Sequence, residues 1–205
     1  MPALWTPSDK LLLASTSATR LALLVSAGIP VETQHSGIDE RAVEEAAAQE
    51  RLSPPALAAR LAAEKALAVS RRHPDRVVLG ADQVLACGGE VFHKPADRAA
   101  ARGHLMRLSG RQHSLHSAGA IAIGGRVAEE FSDKAILTMR PLTAEAVDLY
   151  LDLAGPDVLK SVGVYQLEGF GVHLFEAVEG NHSTILGLPL LPLLASLRRL
   201  GCLAL

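Results

Sequence analysis

The first candidate for chemistry is a hydroxyl-rich segment near the amino terminus, Ser15-Thr16-Ser17-Ala18-Thr19-Arg20. It lies between an apolar run and a helical pattern, which predicts a strand-to-helix turn. At such a turn, free backbone N–H groups, the two serine hydroxyls and the Arg20 guanidinium would converge on an anion such as phosphate. The same residues also fit an ordinary helix cap followed by a solvated arginine. The sequence contains no P-loop motif.

A second candidate is Asp82, which directly follows the apolar segment 77–81. In an α/β sheet, a carboxylate at the carboxyl end of a strand faces the ligand crevice. At that place Asp82 could act as a general base or hold a divalent metal. An aspartate that only begins a turn is the alternative interpretation.

Further charged residues lie in apolar surroundings. Lys65 lies on the stripe of a predicted helix that should face the core, and Pro95 holds the preceding Lys94 extended. Asp39 and Glu40 are predicted to lie in a loop after a strand. Taken singly, each fits a solvated or snorkelling side chain. Together they would supply cations for phosphates and carboxylates for a metal and a water molecule.

The elements that must position these residues alternate short apolar runs with helical segments, which predicts an α/β fold. The predicted strands lie at 10–14, at 77–81 before a hairpin at Gly88-Gly89, on both sides of Gly124-Gly125, at 131–139 and as a pair within 162–178. The predicted helices lie at 17–28, 53–72, 96–108, 143–153 and from about Pro189. No repeat, low-complexity tract or linker interrupts the chain, so residues 1–205 are expected to form one domain.

The composition excludes several classes of protein. Of the 205 residues, 49% are hydrophobic and 20% are charged, with a formal net charge of -2. This is too apolar and too weakly charged for a disordered chain, and it lacks the basic excess of a nucleic-acid binder. Aromatic residues make up 3%, which argues against a base-stacking platform. In a predicted strand, His113 and His116 would point to opposite faces, so they suit metal chelation poorly.

The cysteines and the chain ends indicate where the protein resides. Cys87 and Cys202 form no CxxC motif, and two buried thiols in a reducing cytosol are favoured over one disulfide. The amino terminus lacks the pattern of a signal peptide. The apolar stretch 188–200 is too short and too interrupted by proline and arginine to span a bilayer. We therefore expect a cytoplasmic protein without a membrane partner.

Six segments of the sequence together resemble the Maf family of nucleoside triphosphate pyrophosphatases. They occur in the family's order and spacing over nearly the whole chain. The segments are LLLASTSATRLALL at 11–24, GADQV at 80–84, Lys94-Pro95, LSGRQH at 108–113, GVYQLEGFG at 163–171 and GLPLLPLL at 187–194.

This resemblance implies an α/β fold of the inosine triphosphatase type, with an elongated mixed sheet flanked by helices and two lobes around a deep cleft. It implies hydrolysis of a nucleoside triphosphate to the monophosphate and pyrophosphate, with a divalent cation, Mg²⁺ or Mn²⁺. Asp82 matches the family's proton acceptor, and with Glu40 it would hold the metal. The residues that would bind phosphate are Ser15, Ser17, Arg20, Lys65 and Lys94.

Three further positions distinguish branches of the family, namely Thr19, Gln83 and Glu168. The branch that acts on dTTP and UTP typically has Arg, Thr and Gln there. Gln83 and Glu168 instead resemble the branch that acts on 7-methyl-GTP, in which Trp stands at the position of Thr19. A carboxylate such as Glu168 could accept paired N–H donors from a guanine edge. The resemblance therefore implies a purine-type or modified nucleotide, with strict 7-methyl-GTP specificity as the alternative.

A different class of function is a nucleotide-sensing regulator of cell division that turns over its ligand slowly. The combination of Asp82, Glu40, Lys65 and Lys94 favours the enzyme, a house-cleaning pyrophosphatase, because a sensor need not keep a general base. A homodimer is common among α/β enzymes of this size, although the sequence locates no interface.

Overall fold

The computed structural model describes residues 4–205, which form a mixed α/β fold. Its strands are β1 (Leu11–Leu13), β2 (Val31–Thr33), β3 (Val78–Cys87), β4 (Glu90–Phe92), β5 (Gln112–Ile123), β6 (Arg126–Met139) and β7 (Phe175–Glu179). Its α-helices are α1 (Ala18–Ser26), α2 (Glu40–Gln49), α3 (Pro54–Ser70), α4 (Arg98–Leu108), α5 (Ala144–Ala154), α6 (His182–Ile185) and α7 (Leu190–Arg199). Two short 3₁₀ helices lie at Pro156–Lys160 and Phe170–Leu174.

The strands form one seven-stranded mixed sheet in the order β2-β1-β3-β5-β6-β7, with β4 paired to β3. Strand β1 runs parallel to β2 and β3, whereas the pairs β3–β4 and β6–β7 are antiparallel. Gly124 and Gly125, at φ +60° and +73°, make the two-residue turn between β5 and β6. Such a turn needs positive φ at both residues, which glycine adopts without strain. The sheet with its helices confirms the predicted fold class.

The chain divides into two compact units, of which the first contains residues up to Gln83, Ser117–Asp133 and Asn181–Leu205. Its core is aliphatic, as the shortage of aromatic residues requires. Trp5 is the one aromatic residue among the buried members of this core cluster. The other members are Leu11, Leu13, Leu24, Ile29, Leu79, Ala81, Ile121, Leu188, Leu193, Leu197, Cys202 and Leu203.

The second unit, Val84–His116 and Lys134–Gly180, contains an aromatic cluster. The Tyr165 ring lies 5.7 Å from the His113 ring and 4.8 Å from the Phe175 ring, and His113 Nε2 is 2.8 Å from the Tyr165 hydroxyl. Burial lowers the pKa of His113 to about 4, so this histidine is neutral near pH 7 and serves packing. The Tyr150 hydroxyl donates to the Val164 carbonyl at 3.0 Å, which fixes the GVYQ segment.

The structure corrects the predicted strand pair within 162–178 and the predicted loop at Asp39 and Glu40. The strand pair within 162–178 is wrong, because only Phe175–Glu179 is a strand there and Phe170–Leu174 is a 3₁₀ helix. A Cβ atom on Gly171 would lie 2.8 Å from the Gln166 nitrogen, so this glycine permits a compact fold-back rather than a hairpin turn. The loop at Asp39 and Glu40 is also wrong. Asp39 caps α2 by accepting from Ala42 N at 3.2 Å, and Glu40 is the first helical residue.

Most other predictions of local structure are confirmed. Ser17 is the N-cap of α1, Pro54 and Pro55 begin α3, and α7 follows Pro189. The strand candidates after Gly125 and at 131–139 form one continuous strand, β6. Cys87 and Cys202 are both buried free thiols. No helix within residues 4–205 combines the length and the apolar character that crossing a membrane requires.

Candidate functional site

The turn from β1 into α1 arranges the first set of polar groups. Ser17 Oγ accepts from Arg20 N at 3.3 Å, so this hydroxyl serves as the helix cap. Ser15 Oγ accepts from Ser17 N at 3.2 Å and from Arg20 Nη1 at 3.4 Å. The two serines and the arginine therefore form one connected turn at the amino end of a nine-residue helix.

Arg20 is held from a second side, because its Nε donates to the carbonyl of Gly187 at 2.8 Å. Burial lowers the pKa of Arg20, while the carboxylates of Asp82 and Glu40 raise it. Both carboxylates therefore interact electrostatically with the guanidinium, which stays protonated at physiological pH as arginine side chains do.

A buried ion pair joins α3 to β3. Lys65 Nζ lies 2.6 Å from Asp82 Oδ1 and 3.0 Å from Glu40 Oε1. Lys65 and Asp82 are both buried, whereas the Glu40 side chain is about half exposed. A buried ammonium with two carboxylate partners is compensated for the water that it loses. Asp82 thus carries a charge-paired carboxylate inside β3, because apolar residues resume at Val84 and the strand continues to Cys87. The prediction that Asp82 lies at the carboxyl end of its strand is therefore wrong.

Gly80 allows helix α3 and strand β3, which carry Lys65 and Asp82, to approach each other closely. A Cβ atom at Gly80 would overlap the carbonyl oxygen of Ala62 and lie 2.6 Å from the nitrogen of Ala66. The backbone of β3 therefore touches the backbone of α3 on both sides of Lys65 in the helix sequence. Sequence reasoning missed this role, although a glycine inside an apolar strand signals close backbone approach.

Gln83 is tied into the first unit by its amide nitrogen. Gln83 Nε2 donates to Ser117 Oγ, to the Thr184 carbonyl and to the Ile185 carbonyl, each at 3.0 Å. Ser117 and Thr184 are fully buried. Sequence reasoning did not identify these two residues, because a single serine or threonine in an apolar segment gives no signal.

The first unit thus brings together most of the residues predicted from the sequence. Thr19 is half-buried on α1, next to Arg20. Lys94 and Glu168 are exposed and belong to the second unit. The predicted residues that share the first unit are Ser15, Ser17, Thr19, Arg20, Glu40, Lys65, Asp82 and Gln83.

The carboxylate oxygens of Asp82 and Glu40 are of the donor type that Mg²⁺ takes. Across residues 4–205, no group of three or more His, Cys, Asp or Glu side chains is placed to hold a metal ion. Asp82 and Glu40 nevertheless converge on the single Lys65 ammonium. Mg²⁺ is usually bound through one or two carboxylates together with substrate phosphates, rather than by a complete protein cage. The two carboxylates are therefore a suitable partial donor set.

Comparison with known proteins gives consistent results. A family model described as "Maf-like protein" matches residues 10–200. The chain is 51% identical over 196 residues to a protein of Nitrobacter winogradskyi named "Nucleoside triphosphate pyrophosphatase", covering 96% of each chain. It is 52% identical over 201 residues to a protein of the same name from Rhodopseudomonas palustris, covering 98% of each. It is also 48% identical to a protein of Mesorhizobium japonicum named "7-methyl-GTP pyrophosphatase", covering 95% of this chain and 98% of that protein.

Proposed function

Because the chain belongs to the Maf-like protein family, we propose that it is a nucleoside triphosphate pyrophosphatase, a hydrolase of phosphoric anhydrides. Relatives about half identical over nearly their full length carry that name. The observation that carries the proposal is the buried contact of Lys65 with Asp82 and Glu40. It supports the proposal because a carboxylate beside a cation is suited to proton abstraction and to charge stabilisation in the hydrolysis of a triphosphate.

In the proposed reaction, Asp82 accepts a proton from the water that attacks the α-phosphorus. The new P–O bond forms as the α–β bridging bond breaks, and pyrophosphate leaves. One oxygen of Asp82 accepts from Lys65, and a carboxylate has a second oxygen for the water. Arg20, Lys65 and Lys94 stabilise the charge on the phosphate oxygens, which is the main contribution to phosphoryl transfer.

The phosphate-binding turn is proposed at Ser15, Ser17 and Arg20. Backbone N–H groups at the start of α1 attract anions, and the helix adds its positive end. Lys94 joins this set by its match to the family. The proposal treats residues 1–205 as one functional domain, since the family model matches residues 10–200 without a break.

A divalent cation, Mg²⁺ or Mn²⁺, is proposed to be held by Asp82 and Glu40 together with the substrate phosphates. When bound, it would neutralise and orient the triphosphate. The charges of this cluster support the proposal, because the cations Arg20 and Lys65 are already balanced by the two carboxylates. A triphosphate would add several negative charges to that neutral set.

Base selection is proposed at Thr19, Gln83 and Glu168, with a preference for purine-type or modified nucleotides. Glu168 offers a carboxylate to paired N–H donors of a guanine edge. Strict specificity for 7-methyl-GTP is the second candidate, favoured by the Mesorhizobium japonicum relative of that name. Thr19 argues against it, because threonine cannot stack on a cationic methylated base as an aromatic residue does.

The decisive experiment measures pyrophosphate release from GTP, 7-methyl-GTP, ITP, UTP, dTTP and CTP with Mg²⁺ or Mn²⁺. We expect turnover with a higher kcat/KM for the purine nucleotides than for UTP, dTTP and CTP. Activity confined to 7-methyl-GTP would establish the second candidate. Absence of release from every nucleotide would contradict the enzyme and favour the regulator that binds without turnover.

Lys65→Met provides a test of the ion pair. Removal of the ammonium leaves Asp82 and Glu40 without their shared cation, so kcat/KM is expected to fall roughly tenfold to a hundredfold. The matched control is Lys10→Met, since Lys10 is an exposed lysine whose nearest carboxylate, Glu32, lies 3.9 Å away. Pyrophosphate release from GTP is measured for both variants, and equal rates would contradict the role of Lys65.

The cell compartment and the assembly are also proposals. Two buried free thiols agree with a reducing compartment, which supports a cytoplasmic location. A homodimer is proposed from the general frequency of dimers among enzymes of this size. The expected partner in the reaction is a nucleoside triphosphate rather than a nucleic-acid polymer.

A further inference from the structure

The amide nitrogen of Gln83 is committed to the protein itself. Its two N–H hydrogens are shared among Ser117 Oγ and the carbonyls of Thr184 and Ile185. The opposite amide orientation would set the Gln83 oxygen against two carbonyl oxygens, so the network fixes the orientation. The nitrogen is therefore used to hold α6 beside β3 and β5.

Two further hydrogen bonds, one of them buried, hold the same segment from other directions. Ser117 Oγ donates to the Thr184 carbonyl at 2.7 Å, and Thr184 Oγ1 donates to Asp133 Oδ2 at 2.7 Å. In a buried network each missing partner is expensive, because the remaining polar atom stays without water. The end of α6 therefore has one favoured position, and the chain leaves it through Gly187.

Gly187 connects this network to Arg20. Its carbonyl accepts from Arg20 Nε at 2.8 Å, and its φ of +90° lies in the region that favours glycine. A Cβ atom there would lie 3.4 Å from Arg20 Nη2 and 3.7 Å from Gln83 Oε1. Gly187 thus lies next to both side chains, and its carbonyl is a hydrogen-bond acceptor for the guanidinium.

We propose that Gln83 is a positioning residue that orients Arg20 through the Gly187 carbonyl and thereby sets affinity for the triphosphate group whatever the base. This rests on the proposed function, in which Arg20 binds phosphate, and it adds a role to the base selection proposed for Gln83. A side chain that only reads the base would leave binding of a base-free triphosphate unchanged.

The test uses inorganic tripolyphosphate, which has neither base nor sugar, and calorimetry in the presence of Mg²⁺. Gln83→Met keeps the length of the side chain and removes its donors. We expect its Kd for tripolyphosphate to rise roughly tenfold, with a similar loss of kcat/KM for GTP and UTP alike, because small displacements of a binding group are costly. The matched control is Gln49→Met at an exposed position of α2, which should bind as the wild type does.

A second measurement tests whether Gln83 acts through Arg20. In an Arg20→Met background, Gln83→Met is expected to cause no further change in Kd, whereas independent roles would give additive changes. Additive changes, a Gln83→Met Kd within twofold of the wild type, or a wild type that does not bind tripolyphosphate would each overturn the proposal.

A third variant guards against a folding defect. Ser117→Ala removes one partner of the same network. Its Kd for tripolyphosphate is expected to rise, but less than that of Gln83→Met. If Gln83→Met does not fold, an unchanged Kd of Ser117→Ala would still overturn the proposal. Calorimetry needs no turnover, so the outcome is separate from that of the pyrophosphatase proposal. Wild-type protein that binds tripolyphosphate but releases no pyrophosphate from any nucleotide contradicts only the latter.

Discussion

Replacing Asp82 with asparagine is expected to lower kcat at least about a hundredfold, which is the usual contribution of a positioned general base. Asparagine has nearly the same shape, and its Oδ1 can still accept the hydrogen bond from Lys65, now 2.6 Å from the carboxylate. Lys65 also keeps Glu40 as a partner. The variant should therefore fold as the wild type does, while it lacks a basic oxygen for the attacking water.

The measurement is pyrophosphate release at saturating concentration of the best substrate, together with a thermal unfolding curve by circular dichroism. Asp75→Asn, at an exposed aspartate of the same unit, is the matched control and should keep the wild-type kcat. An Asp82→Asn enzyme with a near-normal rate would remove Asp82 from the role of base. A large loss of melting temperature would instead point to a structural contribution of the ion pair.

The sequence was informative where a residue type has few alternative uses. Lys65 could be placed on a buried stripe because an isolated lysine among leucines and alanines stands out at helical spacing. Ser17 could be identified as a helix cap because hydroxyls are strongly preferred there. The hairpin at Gly88-Gly89 followed from the positive φ that two-residue hairpins need, and both glycines have it, at +59° and +86°, between the antiparallel strands β3 and β4.

The sequence was uninformative where the decisive partner is distant in the chain. Gly187 and Arg20 are 167 positions apart, and their contact involves a carbonyl that every residue possesses. The segment 162–178 alternates in a strand-like manner, but Gly171 serves close packing against the Gln166 backbone. Glu40 was expected in a loop, although the helix that begins with it is rich in alanine and glutamate, which are good helix formers, and follows a capping aspartate.

Gly80 illustrates the same limit at the centre of the candidate site. The sequence indicated that Gly80 is a small residue in a buried strand, but only the structure shows that it faces the backbone of α3. Helix α3 packs so closely there that a methyl group would overlap the Ala62 carbonyl oxygen and approach the Ala66 nitrogen to 2.6 Å. Backbone atoms of a helix cannot rotate away as a side chain can, so α3 as a whole would have to move.

Gly80→Ala is accordingly expected to lower the free energy of unfolding by about 3 kcal/mol, at the upper end of the usual cost of overpacking. It should also lower kcat/KM roughly a hundredfold, because displacement of α3 carries Lys65 away from Asp82 and a shift of about 1 Å can cost that much. Urea unfolding and pyrophosphate release measure the two effects.

Gly103→Ala is the matched control for this substitution. Gly103 lies within α4, and apart from its chain neighbours and the nearby helix backbone no atom lies within 4 Å of the place where its Cβ would stand. Alanine there should raise the free energy of unfolding by about 0.5–1 kcal/mol through its helix propensity and leave kcat/KM unchanged. The change from glycine to alanine is thus expected to lower the free energy of unfolding at position 80 and to raise it at position 103. If Gly80→Ala retained the wild-type kcat/KM, the contact between the two backbones would not be what holds Lys65 against Asp82.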